Sequence, residues 1–398
     1  MLLHKLLNSL SNCDFIKPIY ESIIEHDIKN FNQLDKIIDQ DYIDFLVYEY
    51  IKRNPNTFIA IVWPICIGGD DIIRSHYKKY GKIMYYKEIK LNPDSYHIFL
   101  KYISDKNTHQ SGVDLWFAKP YSNNNPLRIY VIETKPKKLD IPVNEIKKYL
   151  TSVFNNNKTY IDKIERSGLN VLKNLYITTK NKKQCRTALY NARKVQRVLK
   201  ETAPFEYSHH INDLYLETKE IGKIVLNNNT LELLQHFKWG KMKKFEKKIR
   251  RFKALLKQKR IDTDKILIYN SGILAPFGLR EPSDIDFLQL DTCLLRQSEL
   301  PRDVDIQNVY FKRGYMILQT KQKAQYIEDQ PRFAESLDIN DPQIIWKLSI
   351  NDIVFNPKNY FYYDGIKFMK PDLFKKVKKI RGRPKDLEQV KILNNSRI

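Results

Sequence analysis

Apolar residues near the start of the chain recur at three-to-four spacing. Leu34, Ile37, Ile38, Tyr42, Phe45, Leu46 and Tyr48 predict a helical segment over residues 1–54. From 55 to 235 the pattern alternates between strand-like and helix-like stretches. The apolar run Phe58–Ile67 predicts a strand, which Gly68-Gly69-Asp70 ends. Ile72, Ile73 and Tyr77 then predict a helix running to Tyr80, with Gly81 as its C-cap. Ile83–Leu91 reads as a strand and Tyr96–Ile103 as a short helix. Gly112–Ala118 and Leu127–Thr134 read as paired strands joined through Ser122-Asn123-Asn124-Asn125-Pro126. A strand at Val171–Thr178 and a helix from Leu214 to Val225 complete the region, which is expected to be an α+β, ferredoxin-like sandwich.

Between 236 and 262 the period lengthens again. Phe237, Met242, Phe245, Ile249, Phe252 and Leu256 form one apolar stripe on a helix whose other face is Lys and Arg. Twelve basic residues against the single acid Glu246 lie between His236 and Arg260. This stretch is expected to be a basic connector helix, followed by a last domain over 263–398. A second basic run, Lys358 to Lys391, holds eleven cations against four acids. These two segments carry most of the net charge of +23, as a surface facing nucleic acid or a phosphorylated substrate would. Codon bias toward Lys in an AT-rich genome offers a plainer origin for part of that charge.

Hydrophobic content of 42%, with 25 Tyr and 19 Phe in 398 residues, excludes a disordered chain and allows several cores. No apolar run reaches membrane-spanning length, and Met1-Leu2-Leu3-His4-Lys5 lacks the apolar stretch of a secretory signal. Cys13, Cys66, Cys185 and Cys293 have neither metal-ligand spacing nor a disulfide pattern. A cytoplasmic, reducing setting is the expectation.

The most informative chemistry follows the strand-like run Ile266-Leu267-Ile268-Tyr269. Asn270-Ser271-Gly272 leads, after a spacer, to Ser283-Asp284-Ile285-Asp286-Phe287-Leu288. Alternation on a strand sends Asp284 and Asp286 to one face about 7 Å apart, where hard oxygen ligands suit Mg²⁺ or Mn²⁺. Gly272 has no Cβ to keep a phosphate from the backbone, so Ser271 and Gly272 are candidate phosphate-binding residues. Arg280 can neutralise phosphate charge bidentately. Asp305 and Asp364 are the candidates for a third acid.

Tyr269-Asn270-Ser271-Gly272 followed by Ser283-Asp284-Ile285-Asp286 resembles the nucleotidyltransferase superfamily, whose small members carry a Gly-Ser turn and then Ser-Asp-x-Asp on the next strand. Gly365-Ile366-Lys367-Phe368-Met369-Lys370-Pro371-Asp372-Leu373, running into Arg381-Gly382-Arg383-Pro384-Lys385-Asp386-Leu387, is similar to the closing strand and helices of such domains. The pattern also resembles the choline-phosphate and ribitol-phosphate transferase group. The resemblance covers about residues 265–393. It implies a nucleotidyltransferase-like α/β domain that uses Mg²⁺, Asp284, Asp286 and a third acid such as Asp305. A nucleoside triphosphate or an activated phospho-sugar would be the donor. The turn departs from the pattern in reading Ser-Gly, and the spacer is slightly long. A domain without the third acid would be a catalytically inactive interaction protein.

Two further constellations compete. Asp114, Glu133 and Lys135 have the D-x18-E-x-K spacing that resembles the PD-(D/E)xK nuclease core, the alternative being a basic nucleic-acid-binding protein or nuclease. In Ser208-His209-His210-Ile211-Asn212-Asp213, the reading is that Asp213 caps the following helix and His210 packs beneath it. Asp386 is read as an N-cap or first-turn acid of the last helix.

Overall fold

A computed structural model of the protein describes residues 2–10, 14–103, 125–154, 157–195, 209–212, 214–290, 295–306, 311–312, 315–319 and 344–398. The fold is α+β. It divides into two compact units, Ile28–Leu226 and a second made of Met1–Asp27 with Asn227–Ile398. These boundaries differ from the four segments expected from the sequence, and the packing of two helices explains why.

In the unit 28–226, helix α1 (Gln40–Arg53) buries nine consecutive residues from Ile43 to Ile51. Among them, fully buried Asp44 pairs with Lys87 of strand β2 (Gly81–Ile89). That ion pair ties α1 to the sheet, so the helix is part of this unit and not of a separate N-terminal segment. Strand β1 (Thr57–Val62) is buried along its whole length, as a strand covered on both faces must be. Helix α2 (Asp70–Tyr80) follows a turn in which Gly68 and Gly69 both take positive φ. It ends at Gly81, where the sequence predicts its C-cap. The Asp70 carboxylate receives the Arg128 guanidinium at 2.5 Å and the Tyr130 hydroxyl, both from strand β3 (Leu127–Thr134).

The sheet has the order β2-β3-β1-β4, with β4 at His209–Ile211. All of its pairs are antiparallel, so it lacks the parallel central pair of a split βαβ unit and is not ferredoxin-like in detail. Strand β3 is paired along both edges, Arg128–Glu133 against β1 and Leu127–Thr134 against β2. Residues 112–118, the expected hairpin partner of Leu127–Thr134, lie outside the described residues.

The strand expected at Val171–Thr178 is instead part of helix α3 (Leu169–Asn191). Its β-branched composition suggested a strand. Leu172, Leu175, Tyr176, Thr179, Cys185 and Leu189 are nevertheless buried at helical spacing, and tertiary burial overrides local propensity. Thr178 and Thr179 return their hydroxyls to the Leu175 carbonyl, which lets them sit inside the helix. Helix α4 (Tyr215–Val225) closes the unit, its Tyr215 hydroxyl bonding the carbonyls of Ile51 and Lys52 at the end of α1.

The second unit is built on a five-stranded sheet with the order β11-β12-β5-β6-β7. Its strands are β5 (Ile266–Tyr269), β6 (Ile285–Gln289), β7 (Val304–Ile306), β11 (Tyr360–Tyr363) and β12 (Ile366–Met369). A smaller sheet pairs β8 (Phe311–Lys312), β9 (Tyr315–Gln319) and β10 (Ile344–Ser349). The basic helix α5 (Lys243–Gln258) buries Phe245, Ile249, Phe252 and Leu256, the stripe read from the sequence. Phe252 packs on Phe287 of β6 at 5.0 Å between ring centroids, and Phe245 on Phe368 of β12 at 6.1 Å. With that face against the sheet, α5 is a layer of this unit rather than a connector. Helices α6 (Pro371–Arg381) and α7 (Pro384–Asn395) follow β12.

Candidate metal centre

The register of three strands assembles an acidic cluster at one end of the larger sheet. Asp286 of β6 lies opposite Tyr269 at the end of antiparallel β5 and beside Asp305 of parallel β7. Asp284 precedes Asp286 by two residues and shares its face. Carboxylate oxygens of Asp284, Asp286 and Asp305 all lie within 4.8 Å of one another. Of the two candidates for the third acid, Asp305 joins the pair. Asp364 sits instead in the β11–β12 turn at φ 49°, 3.3 Å from the Lys253 ammonium.

Charge and burial act together here. Asp286 is only 8% exposed, whereas Asp284 and Asp305 are half-buried. Burial, and then the neighbouring Asp284 charge, raise the pKa of Asp305 above the usual carboxylate value. Gln297 opposes this by donating its amide to Asp305 Oδ1 at 3.0 Å. The Ser283 hydroxyl donates to Asp284 Oδ1 at 2.9 Å.

The segments entering β6 and β7 are tied to one another and to α5. The Ile285 amide donates to the Asp303 carbonyl at 2.8 Å. Lys248 of α5 donates to the Ser283 carbonyl and lies 3.3 Å from the Asp303 carboxylate. One lysine thus links both acid-bearing segments. It was hidden in the sequence, because nothing in a run of twelve cations singles out Lys248.

Ser271 and Gly272 open the 3-10 helix Asn270–Phe277, which leaves β5 just beyond Tyr269, the residue paired with Asp286. The turn is therefore at the same end of the sheet as the acids. Gly272 has a packing reason of its own: a Cβ there would lie 2.9 Å from Ile268 Cγ2. Arg280 is exposed on the segment leading to β6. Asn270 takes φ 55°, and its Oδ1 accepts long contacts from Lys378 at 3.4 Å and Arg381 at 3.5 Å.

Those two cations belong to a buried ionic cluster around Asp386, which is fully buried in the first turn of α7. Lys378 Nζ lies 2.8 Å, Arg383 Nε 2.7 Å and Arg381 Nε 3.5 Å from its carboxylate. The first-turn position matches the sequence reading, but the carboxylate serves three side-chain cations and cross-links α6 to α7. Burial outweighs the pairing at Lys378, whose pKa is pushed down to about 8.

The other constellations fall only in part within the described residues. Asp114 lies outside the described residues. Glu133 accepts the Asn54 side-chain amide at 2.9 Å, and Lys135 is exposed just past the end of β3. Fully buried His209, rather than His210, packs deepest in the His pair, its Nε2 2.5 Å from the Tyr77 hydroxyl. Burial and the Arg186 charge hold His209 well below the ordinary imidazole range. Asp213 lies outside the described residues, and Glu217 accepts the Leu214 amide at the start of α4.

Comparison with known proteins finds no matching family model, no matching curated protein and no matching solved structure. Among the described residues, no helix is long and apolar enough to cross a membrane.

Proposed function

We propose that the protein is a Mg²⁺- or Mn²⁺-dependent transferase that moves a nucleotidyl or phospho group onto an acceptor hydroxyl. A nucleoside triphosphate or an activated phospho-sugar would be the donor. The observation that carries this reading is the convergence of Asp284, Asp286 and Asp305 beside the turn that starts at Asn270.

The donor set fits the ion. Three carboxylates, two on hydrogen-bonded strands and Asp284 just before β6, offer the hard oxygens that Mg²⁺ takes. Opposite ligands on one Mg²⁺ stand about 4.2 Å apart, so a spread within 4.8 Å is closed by small side-chain rotations. Such an ion supplies Lewis-acid stabilisation of the charge that develops on a transferring phosphoryl group. Ser271 and Gly272 would meet phosphate oxygens with the hydroxyl and backbone amides, and exposed Arg280 would add a mobile positive charge. The inactive, binding-only alternative rests on a missing third acid, and the place of Asp305 beside the pair supports the active reading over it.

Changing Asp284 and Asp286 together to Ala should abolish Mg²⁺-dependent transfer of label from nucleoside triphosphates or nucleotide-activated phospho-sugars. Transfer that survives in a folded double variant would end this assignment. Mg²⁺-dependent cleavage of nucleic acid that survives the same change and is lost in Glu133→Ala would favour the nuclease.

A further inference from the structure

We propose that the unit 28–226 carries a binding surface for single-stranded nucleic acid, formed by two basic cavities on either side of helix α2. This inference stands apart from the transferase reading and from the basic helix α5. Cations of α5 and of its C-cap already have partners within their own unit: Lys248 with Asp303, Lys253 with Asp364 and, at the cap, Lys259 with Glu299.

The first cavity, about 650 Å³, lies between α2 and α3. Lys79, Lys180, Lys183 and His76 line it with Tyr149, and no carboxylate does among the described residues. The second, about 720 Å³, is lined by Arg74, Lys78, Lys82 and Lys135, with Asp35 as its single acid among the described residues. Residues one turn apart on α2 divide between them: Ser75 and Lys79 face the first cavity, Arg74 and Lys78 the second. Seven Lys or Arg side chains against one acid therefore flank a single helix.

Concentration of one charge sign in concave surface focuses the field and draws in polyanions. Two adjoining cavities suit a chain of phosphates better than one small anion, because a strand crossing α2 would meet both. Each cavity also has an aromatic wall. Lys180 lies 4.9 Å from the Tyr149 ring centroid, and Arg74 lies 5.2 Å from that of Tyr86. Cations interleaved with aromatic rings match the two faces of an unpaired nucleotide, its phosphate and its base. An anionic bilayer offers phosphates without bases, and a duplex keeps its bases inside the stack.

The test uses the full chain and a labelled oligo-uridylate of about 16 nucleotides, with binding followed by fluorescence anisotropy. Affinity should fall steeply between about 50 and 200 mM salt. Lys78→Glu/Lys183→Glu reverses one exposed charge in each cavity and should weaken binding at least about tenfold. It should also reduce the salt slope by about 1.4, for two phosphate contacts at about 0.7 each. Lys82→Glu/Lys135→Glu should act in the same direction, which guards against a folding defect in the first variant. Asp284→Ala/Asp286→Ala should bind the strand as the parent does, so loss of the transferase reading leaves this result intact. Binding that ignores both cavity variants but falls with Lys244→Glu/Lys247→Glu would overturn the proposal in favour of α5. Equal competition by a duplex or by phosphatidylserine vesicles would overturn it as well.

Discussion

Asp386 is the carboxylate that Lys378, Arg381 and Arg383 all face in their cluster, so the cost of removing its charge is calculable. Its side chain is fully buried, and those of Lys378 and Arg381 are 4% and 8% exposed. Asp386→Asn keeps the shape but removes the counter-charge that the three cations share. Breaking a buried ion pair from one side costs about 3–5 kcal/mol. For a unit of about 200 residues, that predicts a fall in melting temperature of about 6–20 °C. Circular dichroism, by heat and by urea, would measure it on the full chain.

Lys378→Met should cost less, because Asp386 keeps its two arginines and the burial penalty on the ammonium disappears. The pH dependence separates the two cases. With the folded pKa of Lys378 lowered to about 8, the unfolded chain holds a proton that the folded chain lacks between there and the ordinary lysine value. Stability of the parent relative to Lys378→Met should therefore rise with pH across that window, by up to about 3 kcal/mol. An Asp386→Asn loss below about 1 kcal/mol, or a parent-to-variant difference that stays flat from pH 8 upward, would refute the idea of a dry ionic cluster.

Three other outcomes follow from the geometry of the acidic site. Mg²⁺ at about one hundred times its dissociation constant should stabilise the parent by about 2.7 kcal/mol, read as a shift in the thermal transition. Asp286→Asn should erase that shift. Lys248→Met should weaken Mg²⁺ binding about tenfold, as the loss of a supporting contact does at metal sites, with the ion's stabilising effect titrated as the readout. Gly272→Ala should destabilise by about 1–3 kcal/mol through the Ile268 clash, and the same change made on an Ile268→Ala background should cost less than on the parent. A Gly272→Ala protein of parental stability with no transfer activity would instead point to close backbone approach by phosphate.

Local pattern was enough where hydrophobic periodicity by itself sets the type of an element and its buried face. The α2 helix with its Gly81 end, the strand at 127–134 and the stripe Phe245–Ile249–Phe252–Leu256 could all be read from periodicity, whereas the strand expected over Phe58–Ile67 spans only Thr57–Val62. It failed where packing overrides local composition or chooses the partner of a buried face. Val171–Thr178 has strand composition, yet its helix is selected by what covers Leu172, Leu175 and Tyr176. The same stripe on α5 that marks a packed face does not say which sheet it meets, so a layer of the unit read as a connector.

The acidic site divides along the same line. Asp284 and Asp286 share a face because strand alternation is local, and any reader of Ser-Asp-Ile-Asp can infer it. Asp305 joins them only through the parallel pairing of β6 with β7, which sets Asp286 opposite Asp305. Parallel strands are not joined by a tight turn, so no hairpin signal fixes their register. Composition alone could not choose between Asp305 and Asp364, and Asp303 lies two residues before the first. The folded chain gives each a different partner, since Asp303 binds Lys248, Asp364 binds Lys253, and Asp305 faces the pair. Two of the three are thus held by lysines of α5. The helix expected as a basic connector holds these acidic segments through Lys248 and Lys253, while its apolar stripe packs against the sheet that carries them.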